Sequence, residues 1–371
     1  MDFALTDEQH AIVELATQIF TDLCAPEKLR EVESGADWFH RDLWRELAKA
    51  ELLGIPLPEA AGGAGFGFLE ACLLLEVAGR AVAPVPLQPT LVAAMAIAEL
   101  GTGEATRRWL PGVLTGDTVL TLALAELDAD VRDPQVQAVA DGDGWVLEGT
   151  KTTVPAMHLA AAVLVTARTS DGEVAVFVVP TDADGVTAER QDTFNHEPQF
   201  HVELAGVRVA ADDRLGGDDP LGWVVDRATV GLCALAVGVA HGDVKLTAGY
   251  VTERKQFDRP IGSFQAVGHR MADCYIDDEA MRLSMLAAGS RLADGAPADK
   301  EVAVAKYWAS FSGSRIGHAG LHLHGGISID LDYPMHRYFL WAKQLEYTLG
   351  AGTAQLAHLG GLLADEPVGV I

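Results

Sequence analysis

Cysteine is scarce in this chain. Only Cys24, Cys72, Cys233 and Cys274 occur among 371 residues. They are far apart and form no CxxC pair, which excludes a disulfide-stapled scaffold and a thiolate zinc site and reads as buried thiols of a reducing compartment. His322 and His324 lack a third ligand at useful spacing, so no metal site is expected. Basic residues are also few. Lys and Arg total 27 against 53 Asp and Glu, a net charge of −26. Such an acidic chain argues against nucleic acid or an anionic membrane as partner. A polyanionic ligand then needs a local basic pocket, which Arg254, Lys255 and Arg259 supply. No uninterrupted run of eighteen apolar residues appears, so no membrane span is expected. The opening Met1-Asp-Phe-Ala-Leu-Thr-Asp-Glu has neither a basic segment nor an apolar one, so no signal peptide is expected and a cytoplasmic setting is. Internal repeats and low-complexity tracts are missing too.

What is abundant is apolar residue, 49% of the chain, enough for two or three domains. Three regions follow from the hydrophobic period. Residues 1–115 read as helical. Thr6-Asp-Glu-Gln9 is a capping box, and Ile12, Leu15, Ala16 and Ile19 recur at helical spacing. A Pro- and Gly-rich loop at 54–65 separates later helices. Residues 116–218 change to a period of two, with hairpin turns at Asp143-Gly144 and Asp171-Gly172, and read as a small antiparallel barrel or sandwich. Residues 219–371 are helical again. One helix covers about 221–254, a second starts with Ser263 as N-cap, and a third opens at Pro297 and stops at Gly325-Gly326. A fourth spans about Met335–Tyr347 and a short one follows Gly352. Long amphipathic helices with short turns predict a four-helix bundle.

The segment Arg254-Lys-Gln-Phe-Asp-Arg-Pro-Ile-Gly-Ser-Phe-Gln265 resembles the Arg-x-x-Phe…Gln signature of the acyl-CoA dehydrogenase family. The loop at 54–65 is similar to that family's Gly…Pro-Glu-x-x-Gly-Gly loop, and His322-Leu-His-Gly-Gly326 to its Gln-x-x-Gly-Gly turn. The likeness spans the whole chain. It implies an α+β fold with an N-terminal all-α domain, a middle antiparallel β-barrel or sandwich and a C-terminal four-helix bundle. It also implies that Arg254, Phe257, Gln265, His322, Gly325 and Gly326 contact FAD bound mainly to a neighbouring subunit. A guanidinium suits the pyrophosphate because it forks two N–H donors onto phosphate oxygens. His322 departs from the family's Gln.

The family removes hydrogens from adjacent carbons of an acyl-CoA thioester, and needs a dry Glu as base beside the flavin. Two positions supply it in the family, and here they carry Ala351 and Ala228. Asp226, two residues from Ala228, lies about 200° around a helix and is kept as a secondary candidate. The family's flavin-facing Thr-Glu-Pro-x-x-Gly-Ser-Asp loop has Ala125-Glu-Leu-Asp-Ala-Asp130 as counterpart, and its Trp-Ile-Thr strand has Thr153-Val-Pro155. Proline has no N–H and Thr153 no ring to stack. Thr353 and Gln355 match family cofactor contacts, on the side that has lost its base.

This asymmetry resembles the base-lacking subunit of actinobacterial α2β2 acyl-CoA dehydrogenases, which act on bulky acyl-CoAs such as steroid side-chain thioesters. The resemblance implies a partner subunit that brings the Glu, a shared FAD, and electron-transfer flavoprotein as acceptor. Two other readings stay open: a self-sufficient homomeric FAD acyl-CoA dehydrogenase or oxidase with an unaligned base, and a cofactor-free scaffold on an inherited fold.

Overall fold

The computed structural model describes residues 3–364; residues 1–2 and 365–371, the two ends of the expected first and last regions, lie outside it. Helix α1 (Asp7–Leu23) opens on the capping box: Gln9 N–H donates to Thr6 Oγ1 at 3.2 Å and Thr6 N–H to Gln9 Oε1 at 3.0 Å. Helices α2 (Pro26–Glu33), α3 (Arg41–Lys49), α4 (Phe68–Arg80), α5 (Leu87–Leu100) and α6 (Gly103–Thr115) follow. In the loop before α4, a Cβ on Gly63 would sit 2.2 Å from the Leu57 carbonyl oxygen, so only glycine fits that close approach.

Seven strands come next: β1 (Val119–Ala123), β2 (Gln137–Asp141), β3 (Gly144–Pro155), β4 (Ala160–Thr169), β5 (Val174–Pro180), β6 (Val186–Gln191) and β7 (Gln199–Ala210). They form one sheet in the order β1-β4-β2-β3-β7-β6, with β5 on the other edge of β4. Most ladders are antiparallel, as the period-two pattern predicts. Two are parallel, β1 with the start of β4 and β2 with its end, so the sheet is mixed rather than wholly antiparallel. The sheet closes on a core of Val136, Leu147, Val163, Val165, Phe177 and Val202. The first hairpin turn falls at Gly142-Asp143, one residue before the predicted pair, because Asp141 and Gly144 are register partners and Gly142 takes the left-handed conformation (φ 62°).

Helix α7 (Pro220–Glu253) is 34 residues long. By length and composition it could cross a membrane, but 89% of its apolar window is buried within the fold, as for a core helix. A two-strand hairpin, β8 (Lys255–Gln256) and β9 (Arg259–Pro260), links it to α8 (Gln265–Ala293). Ser263 does not cap α8: its hydroxyl turns back to the Pro260 carbonyl at 2.7 Å, and Phe264 holds the cap position. Nor does Pro297 lie in the first turn of α9 (Asp299–His324); Ala298 is the N-cap, and the Pro297 carbonyl accepts from Arg291. Helices α10 (Met335–Tyr347) and α11 (Gly352–Ala364) complete the chain.

Two compact units result. Among the described residues, one holds those up to Lys28, Cys72–Ala83 and those from Thr229 onward; the other holds Leu29–Ala71 and Pro84–Ala228. In the first, α9 packs on α8, α10 and α11. Small residues allow close crossings there: a Cβ on Gly320 would meet Asp243 Oδ1 at 2.4 Å, and one on Gly238 the Glu76 carbonyl oxygen at 2.0 Å. Buried Glu76 of α4 takes both Arg80 and Arg282, which satisfies a carboxylate that burial alone would penalise.

Candidate active site

Arg254 follows the last turn of α7, exposed, with no ion pair among the described residues. The hairpin after it turns through Phe257 and Asp258, both left-handed (φ 53° and 60°), as a two-residue primed turn requires. A bulky ring in that conformation is strained. Phe257 stands at the hairpin tip, 87% exposed, with the edge of Phe264 6.2 Å from its ring. Gln265 is the first residue of α8 and is exposed. At the far end of α9, His322 is exposed and His324 buried. Gly325 takes φ 65° and ψ −142°, a combination only glycine adopts comfortably. A Cβ on Gly325 or Gly326 would meet nothing within 4 Å, so the turn offers bare backbone beside open space.

Chemically, the set is one cation, an exposed aromatic ring, an amide at a helix start and a glycine turn. These groups suit a phosphate-bearing, ring-bearing ligand approached from outside the chain. They fit the dinucleotide half of FAD: Arg254 and Gly325-Gly326 would hold the pyrophosphate, with Phe257 and Gln265 flanking it.

The sheet half of a flavin site is built differently. Thr153 sits at a bulge in β3 with φ 51°, an outlier for a β-branched residue. Its N–H donates to Gln191 Oε1 at 3.0 Å, and Thr152 Oγ1 donates to the same oxygen at 3.2 Å. Pro155 brings no N–H, and its carbonyl accepts from Thr121. The loop 125–130 is tied inward by Glu126. That carboxylate accepts from Gln135 N–H at 2.8 Å and from Lys151 Nζ at 2.6 Å. Lys151 is fully buried and also donates to Thr166 Oγ1; burial pulls its pKa down to about 8, with Glu126 opposing. These donors are spent within the unit, so this strand does not fit an isoalloxazine edge as the bundle fits a pyrophosphate.

The two positions where a base was expected carry alanine. Ala228 is buried, and its carbonyl accepts from Gln88 Nε2 at 3.0 Å. Asp226 is ion-paired with Arg132. Ala351 lies between α10 and α11, where its carbonyl accepts from Gln355 N–H at 3.2 Å. Gln355 Nε2 donates to the Leu349 carbonyl at 3.1 Å, so the side chain closes its own loop. Buried Lys306 donates to the Leu345 and Glu346 carbonyls at 2.7 and 3.2 Å and fastens the end of α10 just before that loop.

The sequence reading missed Gln191 and Arg132. Neither carries a local signal, since each meets its partner through pairing between distant segments.

Comparison with known proteins identifies the family. The family descriptions "Acyl-CoA dehydrogenase, N-terminal domain", "middle domain" and "C-terminal domain" match residues 6–117, 121–206 and 223–361. The acyl-CoA dehydrogenase FadE27 of Mycobacterium tuberculosis is 40% identical over 99% of this chain and 100% of its own length. Among solved structures, a variant of the Tcur3481-Tcur3483 steroid ACAD is similar at TM-score 0.93 and 48% identity, covering 97% of this chain and 98% of that one. The ChsE4-ChsE5 complex from Mycobacterium tuberculosis is similar at TM-score 0.95 and 40% identity, covering 99% and 100%. This chain belongs to the acyl-CoA dehydrogenases, a family of flavin-dependent oxidoreductases, and has their three-part fold.

Proposed function

We propose that this chain is the base-lacking subunit of an α2β2 acyl-CoA dehydrogenase, and that it completes the FAD site of a catalytic partner. One observation carries the reading. The groups suited to a neighbour's dinucleotide stand exposed on the helical unit, while the flavin-facing strand ties its donors to Gln191 and alanine stands at both expected base positions.

In this division of labour the partner supplies the Glu that takes the α proton. FAD, when bound, accepts the β hydride. This chain's contribution is binding and orientation: Arg254 neutralises phosphate charge, Gly325-Gly326 lets backbone approach, and Phe257 and Gln265 line the cofactor. The substrate class we infer is a bulky acyl-CoA, such as a steroid side-chain thioester; the similarity to a steroid dehydrogenase pair supports it. Electron-transfer flavoprotein is the inferred acceptor. A cytoplasmic setting suits four cysteines that are all free thiols.

Expression alone and beside a second, Glu-bearing acyl-CoA dehydrogenase subunit from the same genome tests the reading. Alone, the chain should carry little FAD and dehydrogenate no acyl-CoA; together, both should appear. Stoichiometric flavin with turnover from the lone chain would overturn it.

A further inference from the structure

Two groups assigned to the dinucleotide come from different helices, and one pair of rings joins them. Arg254 N–H donates to the Tyr250 carbonyl at 2.9 Å, so Tyr250 is the turn of α7 on which Arg254 is built. The ring of Tyr250 stacks on His324, the last residue of α9, with centroids 4.4 Å apart and planes 27° apart. Its hydroxyl donates to the His324 carbonyl at 3.3 Å. That carbonyl belongs to the peptide leading into Gly325, where α9 gives way to a 3-10 turn over Gly325–Ile329. Tyr333 packs against both rings, 5.3 Å from His324 and 6.5 Å from Tyr250.

His324 is a peculiar choice for this place. It is 4% exposed. Its Nδ1 lies 2.8 Å from the Gly320 carbonyl oxygen, which can only accept, so Nδ1 carries the proton. Nε2 is then a bare acceptor, buried and without a hydrogen-bond partner among the described residues. An apolar ring would fill the volume without burying that atom. What only the imidazole adds is the Nδ1 bond, which holds the ring in one orientation under Tyr250.

We propose that Tyr250 and His324 are positioning residues. Their stack and two hydrogen bonds fix Arg254 relative to Gly325-Gly326, and so set the affinity of the completed site for FAD. This rests on the reading that the exposed face of the helical unit receives a partner's FAD.

The test uses the co-expressed complex stripped of flavin and titrated with FAD, following flavin fluorescence. Tyr250→Phe and His324→Phe keep the rings and remove one hydrogen bond each. Each should weaken FAD binding about threefold to tenfold and leave the melting temperature of the flavin-free complex unchanged. In an Arg254→Ala background, either change should cost clearly less than it does in the parent, because the clamp acts partly through Arg254. Full additivity together with a lowered flavin-free melting temperature would mark a merely structural pair and overturn the proposal. So would parental FAD affinity in both variants while Arg254→Ala alone loses FAD. If Arg254→Ala itself retains FAD, the reading of the face fails, and the proposal with it.

Discussion

Arg132 donates to the carboxylate of Asp226, an ion pair between residues 94 positions apart. A base for the α proton must offer an uncommitted carboxylate oxygen, and the Arg132 guanidinium is bonded to Oδ1 of Asp226. Asp226→Asn in the assembled enzyme should therefore change kcat by only a few fold, whereas losing a true general base costs about 10²–10⁴-fold. Steady-state kinetics on the complex decide it. A thousandfold loss would make this chain the catalytic one.

Arg254 has the opposite forecast. Arg254→Ala should lower FAD affinity about ten- to a hundredfold, the worth of a charge-assisted phosphate contact of roughly 1.5–3 kcal/mol. Arg254→Lys should restore only part, because a point charge does not reproduce the fork. Equilibrium titration of the flavin-free complex measures both. Unchanged affinity would remove Arg254 from the site.

Flavin stoichiometry tests the closed strand. Thr152 and Thr153 give their donors to Gln191, and Pro155 has none to give. The complex should hold one FAD for each pair of unlike subunits, read from flavin absorbance against protein concentration. Ala351→Glu should not make the lone chain active, since a base without a flavin has no hydride acceptor. Two FAD per pair would refute the division of labour.

A fourth forecast concerns stability. Asp243 is buried in the helical unit, with Thr247 Oγ1 donating to one oxygen at 3.0 Å and the other oxygen without a partner among the described residues. Burial pushes its pKa up to about 8, with the Thr247 bond opposing. In the unfolded chain the group titrates at about 3.9. Between those values the folded protein holds a proton that the unfolded chain releases. The contribution to stability is thus full below about pH 4 and is lost as pH rises to about 8, a change on the order of a few kcal/mol. Asp243→Asn should flatten the melting temperature between about pH 5 and 8 and raise it at the upper end, provided the amide keeps the Thr247 bond. Calorimetry across that range checks it; equal slopes in parent and variant would assign the dependence elsewhere.

Local chemistry made much of the fold legible. The Thr6–Gln9 capping box is a four-residue pattern, and α10 begins and ends within the predicted Met335–Tyr347. Errors arose where one residue had two possible partners. Ser263 could cap α8 or bond backward to Pro260, and it does the latter. The parallel ladders of β4 were illegible, because a period of two fixes which face is buried and says nothing about which neighbour lies alongside. The site split the same way. Arg254, Phe257 and the glycine turn stood out by spacing, whereas Gln191 became visible only once β6 was paired beyond β7.

The division of the chain into two interleaved units has a consequence for its synthesis. Helix α1 belongs to the unit that is otherwise completed only by Cys72–Ala83 and by residues from Thr229 onward. On the ribosome, α1 therefore emerges roughly two hundred residues before most of its own unit exists. Through that interval its apolar stripe of Ile12, Ala16 and Phe20 lacks its final cover. A single cut in the chain releases neither unit whole, and a stalled or truncated translation product leaves α1 as an exposed, aggregation-prone segment.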